Sequence, residues 1–367
     1  MDAKLSPDRG LNISGIGLVS LLGAGLGVAA LILDGMANRL PWQSISLTLP
    51  LLFCAMTSAA IGYWVVPLLQ ALKTGQIIRE DGPQAHLRKA GTPTMGGIFF
   101  IPVGVVAALF WSNFAYDVFG VALLTLSYGF IGWIDDWQVI RRKSNKGISP
   151  RLKLALQICF AVVFCLWMIF SPPHNIITIT SIALPLSFSL PLGIFFWPLA
   201  GFVLVAESNA TNLTDGVDGL AAGTVAIALL ALGALVAPTS PGLMVFCACL
   251  SGSCLGFLAH NRNPARVFMG DTGSLALGGA LAAVGLLTNS LVAVFILSGI
   301  FFVETLSVMA QVSYYKATKG PDGKGKRLFK MAPLHHHLEL SGWSELQVVA
   351  VFYTISAILA VLSLALC

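Results

Sequence analysis

Apolar runs of roughly twenty residues, separated by short polar stretches, recur along the whole chain. Read as membrane-spanning helices, they fall near 13–35, 50–72, 96–113, 117–136, 152–170 and 192–207. Five more follow near 218–237, 242–260, 272–288, 291–315 and 343–366, making eleven. Asn289 and Ser290 mark a tight turn between the ninth and tenth. The stretch 13–33 is long and no small-residue cleavage site follows it, so it reads as a retained helix rather than a signal peptide. In the segment 171–191, Ile176-Ile177-Thr178-Ile179-Thr180 predicts a small strand or hairpin.

Composition agrees with this pattern. Of 367 residues, 56% are hydrophobic and 10% charged, against about 25% charged in soluble domains. The fold expected is therefore an all-α polytopic protein of the lipid bilayer. The net charge of +5 lies in loops between apolar runs, so no nucleic-acid partner is expected. The seven cysteines (54, 159, 165, 247, 249, 254 and 367) all lie in apolar stretches and read as inert packing thiols.

Charge also orients the chain. With a cytoplasmic amino terminus, 20 of the 21 Lys and Arg residues fall inside and only Arg39 outside. The acidic motifs then share the cytoplasmic face. Carboxylates are costly in lipid and tend to mark function, so their convergence suggests a metal-dependent active site.

Asp135 and Asp136, in GWIDDW, end the fourth span. Two adjacent carboxylates stay ionised only near a cation or water, and a helix carboxyl terminus disfavours them. In NATNLTDGVDGLA (209–221), read as a loop, Asn212, Asp215 and Asp218 recur every third residue and would share one face on a helical path. Asp218 also reads as a cap for the following helix. In HNRNPARVFMGDTGS (260–274), Asp271 with Thr272, Gly273 and Ser274 reads as a helix entrance whose amides favour an anion, or Asp271 is simply an N-cap. Phe268 there reads as a base-stacking or a packing ring. KAGTPTMGG (89–97) places Lys89 and hydroxyls beside glycines, suited to phosphate or to close helix packing. APLHHHLE (332–339) carries three successive histidines that cannot all bind one ion on a regular helix, and donation to phosphate or hydroxyl groups suits them better than zinc. Glu207 borders the Asn/Asp stretch, and Glu304 lies in mid-span, where a paired structural acid is the default. Carboxylates, amides, histidines and basic residues together suit a polyphosphate with Mg²⁺, and the membrane face implies one lipid and one soluble substrate.

Taken in chain order, KAGTPTMGG first, these five strings from about Leu51 to the end resemble the polyprenyl-phosphate N-acetylhexosamine 1-phosphate transferases, and GTPTMGG and HHHLE favour the muramoyl-pentapeptide branch. The resemblance implies ten core helices plus an added amino-terminal one, with 1–45 as an extension and 46–367 as the transferase domain. It implies Mg²⁺-dependent transfer from UDP-N-acetylmuramoyl-pentapeptide to undecaprenyl phosphate, giving lipid I and UMP for peptidoglycan synthesis. The place is the bacterial inner membrane, multi-pass, with the site facing the cytoplasm, and a homodimer is implied. Asp135 would be the base on the lipid phosphate, Asp136 its helper, and Asp271 the principal Mg²⁺ ligand, with Asp136 a second; His336 joins the catalytic set. An aspartyl nucleophile is the alternative mechanism. Asn212, Asp215, Asp218, Asn261 and Phe268 would line the nucleotide site. Lys89, Thr94, Gln311, His335 and His337 would complete the pocket. Family members commonly carry Lys three positions after the second aspartate, where this chain has Val139; Arg141, Arg142 or Lys143 could replace it. Transfer of N-acetylglucosamine 1-phosphate, or a proton-coupled transporter, are the competing functions.

Overall fold

A computed structural model of the chain describes residues 14–72, 89, 91–142, 144, 146–170, 180–185 and 188–367. The helices are α1 (Gly15–Met36), α2 (Thr48–Ala71), α3 (Gly97–Trp111), α4 (Tyr116–Arg142), α5 (Pro150–Phe170), α6 (Phe196–Thr214) and α7 (Leu220–Val236). After them come α8 (Pro241–Asn261), α9 (Gly270–Leu287), α10 (Leu291–Leu297), α11 (Gly299–Ala317), α12 (Leu334–Glu339) and α13 (Glu345–Leu366).

Each apolar run expected to span is helical. Eight helices are long and apolar enough to cross a membrane, and α10 with α11 make a ninth if their 68° bend is one broken span. The expected eleven is reached only by adding α3 and α7, whose 15 and 17 residues reach about 22 and 26 Å at 1.5 Å per residue, short of a hydrocarbon core of about 30 Å. Both follow a polar motif, which takes the residues that would lengthen them.

The interior is built on α8 and α9, in which 83% of the spanning window is buried. α8 packs against α2, α3 and α7, and α9 against α4 and α6. Small residues allow the backbones to approach: a Cβ at Gly252 of α8 would lie 2.1 Å from the Leu51 carbonyl oxygen of α2. Outer faces expose large apolar side chains such as Leu21, Trp64, Phe170, Phe202 and Ile358, as lipid contact requires. All seven cysteines are free, five of them buried.

At one end of the molecule, β1 (Ser181–Ala183) and β2 (Ser189–Pro191) form an antiparallel hairpin. The strand expected at 176–180 lies almost wholly outside the described residues, and the observed pairing begins downstream of it. Asn289 accepts the Ala183 N–H at 3.0 Å, so the expected turn also anchors the hairpin.

Candidate active site

The Asp135-Asp136 pair does not end its helix: α4 continues six residues further, to Arg142. Asp136, 7% exposed, accepts the N–H groups of Asp271 (3.1 Å) and Thr272 (3.0 Å) and the Thr272 hydroxyl (2.6 Å). It satisfies free donors at the amino terminus of α9, where the helix dipole favours a carboxylate. That replaces Asp271 as the expected cap. Met269 is the N-cap of α9, and Asp271 sits in the first turn.

Asp271 is thereby free to gather other groups. Its carboxylate accepts from Asn212 Nδ2 at 2.8 Å and from Lys153 Nζ, and lies within hydrogen-bonding reach of Asp135. Asn212 also donates to Ser274 Oγ at 2.8 Å. Asp135 accepts the Ile148 N–H at 2.8 Å, and a Cβ at Gly147 would come within 2.3 Å of its Oδ1. The turn before α5 therefore wraps this carboxylate and delivers Lys153 one helical turn later. An apolar groove of about 580 Å³ between α5 and α6 begins at Leu154 and includes Ile158, Val162, Trp197 and Phe202.

The first half of the Asn/Asp stretch, expected as a loop, belongs to α6, which runs through Asn209 and Asn212 to Thr214. Asp215 follows at its carboxyl end and accepts the Gly270 N–H. Burial, then the charges of Asp271, Asp136 and Asp218, push its carboxyl up to about 8. Thr94, buried, meets the same point: a Cβ at Gly270 (φ +71°) would lie 2.5 Å from Asp136 Oδ2 and 2.8 Å from Thr94 Oγ1.

Asp218 does not cap α7, whose N-cap is Gly219 with φ 84° and no side-chain bond. It joins a second knot instead, accepting from Lys89 (2.8 Å), Asn263 Nδ2 (3.2 Å) and the Ala265 N–H (3.0 Å). Lys89 and Asn263 also donate to Glu345, at 2.7 and 2.9 Å. Burial opposes the charge on Lys89, but Asp218 and Glu345 outweigh it and raise its pKa, so the ammonium persists. Asn261 is occupied by the fold, accepting the Gly219 N–H (3.0 Å) and donating to the Val267 carbonyl (2.9 Å). Phe268 is half-exposed, its backbone bonded to Pro93 and Gly96.

The three histidines diverge. His335, expected to contact substrate, is fully buried. Its N–H donates to Glu304 Oε1 at 3.2 Å, its Nδ1 lies 3.2 Å from Glu304 Oε2, and a Cβ at Gly216 would be 2.2 Å from its Nε2. It wedges between mid-span Glu304 and the turn after Asp215, giving Glu304 the structural partner expected. His336 Nδ1 lies 2.8 Å from Glu339 Oε2. His337 Nδ1 accepts the Lys330 N–H at 3.1 Å. Gln311, expected in the pocket, is spent on the main chain of Leu328 and Phe329.

Sequence reasoning missed Lys153 and Glu345 as site residues. Neither stands in one of the five motif strings; each is a charged residue in the first turn of an apolar helix, and only its neighbours in space reveal it. Of the cations considered in place of Val139, Arg142 donates to the Gly147 carbonyl (3.1 Å) and Lys143 lies outside the described residues. The cation bound to Asp271 is Lys153.

Among the described residues, no three His, Cys, Asp or Glu side chains could cage a metal ion. Mg²⁺ does not require a cage: it takes one or two carboxylates and keeps its waters. Asp271 and Asp135, adjacent and partly open, fit that donor set, and the acids around Asp215 outnumber Lys153. Asp136 fits less well, since the amino end of α9 already occupies both its oxygens.

Known proteins resemble this chain along its whole length. Residues 118–289 match the model for glycosyl transferase family 4, and 89–101 match signature 1 of the phospho-N-acetylmuramoyl-pentapeptide-transferases. Proteins named phospho-N-acetylmuramoyl-pentapeptide-transferase from Nostoc punctiforme and Trichormus variabilis are each 82% identical, covering 100% of this chain and 100% and 99% of their own. One from Rippkaea orientalis is 62% identical over 99% of both chains. A membrane-embedded helical bundle with these motifs gathered at helix ends, 82% identical along its whole length to transferases of that name, belongs to the phospho-N-acetylmuramoyl-pentapeptide-transferase family of glycosyl-1-phosphate transferases.

Proposed function

We propose that the chain transfers phospho-N-acetylmuramoyl-pentapeptide from its UDP ester to undecaprenyl phosphate, with Mg²⁺, at the cytoplasmic face of a bacterial inner membrane. The observation that carries this reading is the juxtaposition of Asp135, Asp271 and Lys153, with Leu154, the next residue of α5, lining the α5–α6 groove. A polyprenyl chain lying in that groove brings its phosphate to Lys153.

Asp135 removes the proton from the lipid phosphate, and one phosphate oxygen attacks the β-phosphorus of the nucleotide. The bond from that phosphorus to the bridging oxygen breaks, UMP departs, and the new diphosphate is lipid I. Asp271 would hold Mg²⁺, which would neutralise charge on the diphosphate when bound, and Asp135 beside it is kept for the proton. Lys153 supplies a further cation, Asn212 fixes Asp271, and Asp136 fixes the amino end of α9. Lys89, Asp218 and Phe268 form the nucleotide side. Asp215 lies between the two regions, and His335 positions its turn. His336 and His337 border the soluble substrate.

Purified protein given Mg²⁺, undecaprenyl phosphate and UDP-N-acetylmuramoyl-pentapeptide should release UMP, and Asp135→Asn should abolish release while the protein stays folded. Product formed only from UDP-N-acetylglucosamine would sink the specificity, and full turnover by Asp135→Asn would sink the base.

A further inference from the structure

α1 carries none of the polar motifs, and its buried residues form one stripe: Gly15, Leu18, Leu26, Ala30 and Asp34. The helix touches α2, α7, α8 and α13. Both ends of the stripe are fixed by more than apolar contact. At the carboxyl end, Asp34 is fully buried and accepts the Leu47 N–H (3.0 Å), the Thr48 N–H (3.0 Å) and the Thr48 hydroxyl (2.8 Å) at the start of α2. At the amino end, Gly15 lies against the main chain of Asn263. A Cβ there would fall 2.1 Å from the Asn263 carbonyl oxygen and 3.1 Å from its carbon. Side-chain rotation cannot relieve a clash with backbone, so one of the two segments would have to move.

Asn263 is the residue whose amide bridges Asp218 and Glu345. Two residues on, the Ala265 N–H reaches Asp218. The path of this loop therefore sets the geometry around Lys89.

We propose that α1 is a positioning strut for the nucleotide end of the site, and that Gly15 is the contact through which it places Asn263, Asp218 and Lys89. The inference rests on reading the Lys89–Asp218 knot as the nucleotide side. Asp135, Asp271 and Lys153 stand on α4, α9 and α5, so a displaced Asn263 weakens nucleotide binding while leaving the reacting centre in place. Loss of binding shared by ground and transition states appears in KM rather than kcat.

The test uses full-length protein in detergent, with kinetics for each substrate and thermal unfolding. Gly15→Val should raise KM for UDP-N-acetylmuramoyl-pentapeptide roughly three- to tenfold, since small misplacements are amplified at such sites. The kcat and the KM for undecaprenyl phosphate should stay within about twofold of the parent. Gly25→Val adds the same bulk to α1 where nothing lies within 4 Å, and should behave as the parent. Wild-type nucleotide KM in a well-folded Gly15→Val, or equal losses in both variants, would overturn the strut. Should Gly15→Val fail to fold, Gly15→Ala gives the milder displacement with the same expectation. Combined with Asn263→Ala, Gly15→Val should cost less thermal stability than it does alone, because the amide contacts it would disturb are already gone while the main-chain contact remains; full additivity counts against the coupling. Lys89→Ala with unchanged nucleotide KM would defeat the nucleotide reading alone, because the stability coupling reports the strut independently.

Discussion

Lys153 and Asp271 show how a single residue gains its role from its neighbours. Lys153 is 17% and Asp271 23% exposed at the side chain, so the pair is sheltered but not sealed from water. Lys153→Gln keeps a hydrogen-bond donor and removes the charge. Loss of a group that stabilises transition-state charge costs on the order of a hundredfold in kcat. UMP release should fall by about that factor, with thermal unfolding little changed. More than half of the parental rate would show that Lys153 balances Asp271 without acting on the substrate. Asp135 and Asp136 were legible from the residues as a pair, and their division of labour came only from the resemblance. The pairing of Asp136 with the amino end of α9, over 135 positions along the chain, leaves Asp135 as the partner of Asp271. No local pattern distinguishes two adjacent aspartates.

At the scale of elements, the bent pair α10–α11 and the short α12 act together. α11 carries Glu304, which holds His335, and Gln311, which holds the segment leading to α12. A buried N–H deprived of its acceptor costs about 1–3 kcal/mol. Glu304→Leu should destabilise the protein by about that amount and lower turnover, because His335 would no longer be held against the Asp215 turn. Glu304→Gln keeps an acceptor and should recover much of the stability. Equal melting temperatures for Glu304→Leu and the parent would refute the clamp. The sequence placed Glu304 in mid-span and the histidines in a loop, and their meeting is not legible there; the 68° bend falls at Ser298-Gly299, the kind of pair that kinks helices.

For the whole molecule, the balance of charge at the site links stability to pH and to metal. Burial and the neighbouring acids push the Asp215 carboxyl up to about 8. A carboxyl raised in the folded state favours folding while protonated, and that contribution is lost as pH rises from the unfolded value through about 8. Metal-free protein should therefore melt at a lower temperature at pH 9 than at pH 6, and Mg²⁺ should narrow the difference. A stability that rises over this interval, or a difference insensitive to Mg²⁺, would count against a cation among these acids.

The sequence by itself determined the membrane class, the helical runs and the motifs that place this chain in its family. Those properties rest on hydrophobic length and on local strings, which a linear reading can capture. It located Asp135, Asp136, Asn212 and Asp271 as one constellation because their strings resemble a known set. The tertiary structure alone decided which groups touch. Lys153 reaches Asp271, Asp218 closes on Lys89 and Glu345, and His335 is buried while Asn261 and Gln311 are taken up by backbone. Such pairings arise where helix ends far apart in sequence meet, and the unsatisfied donors and charges at those ends choose partners by distance in space.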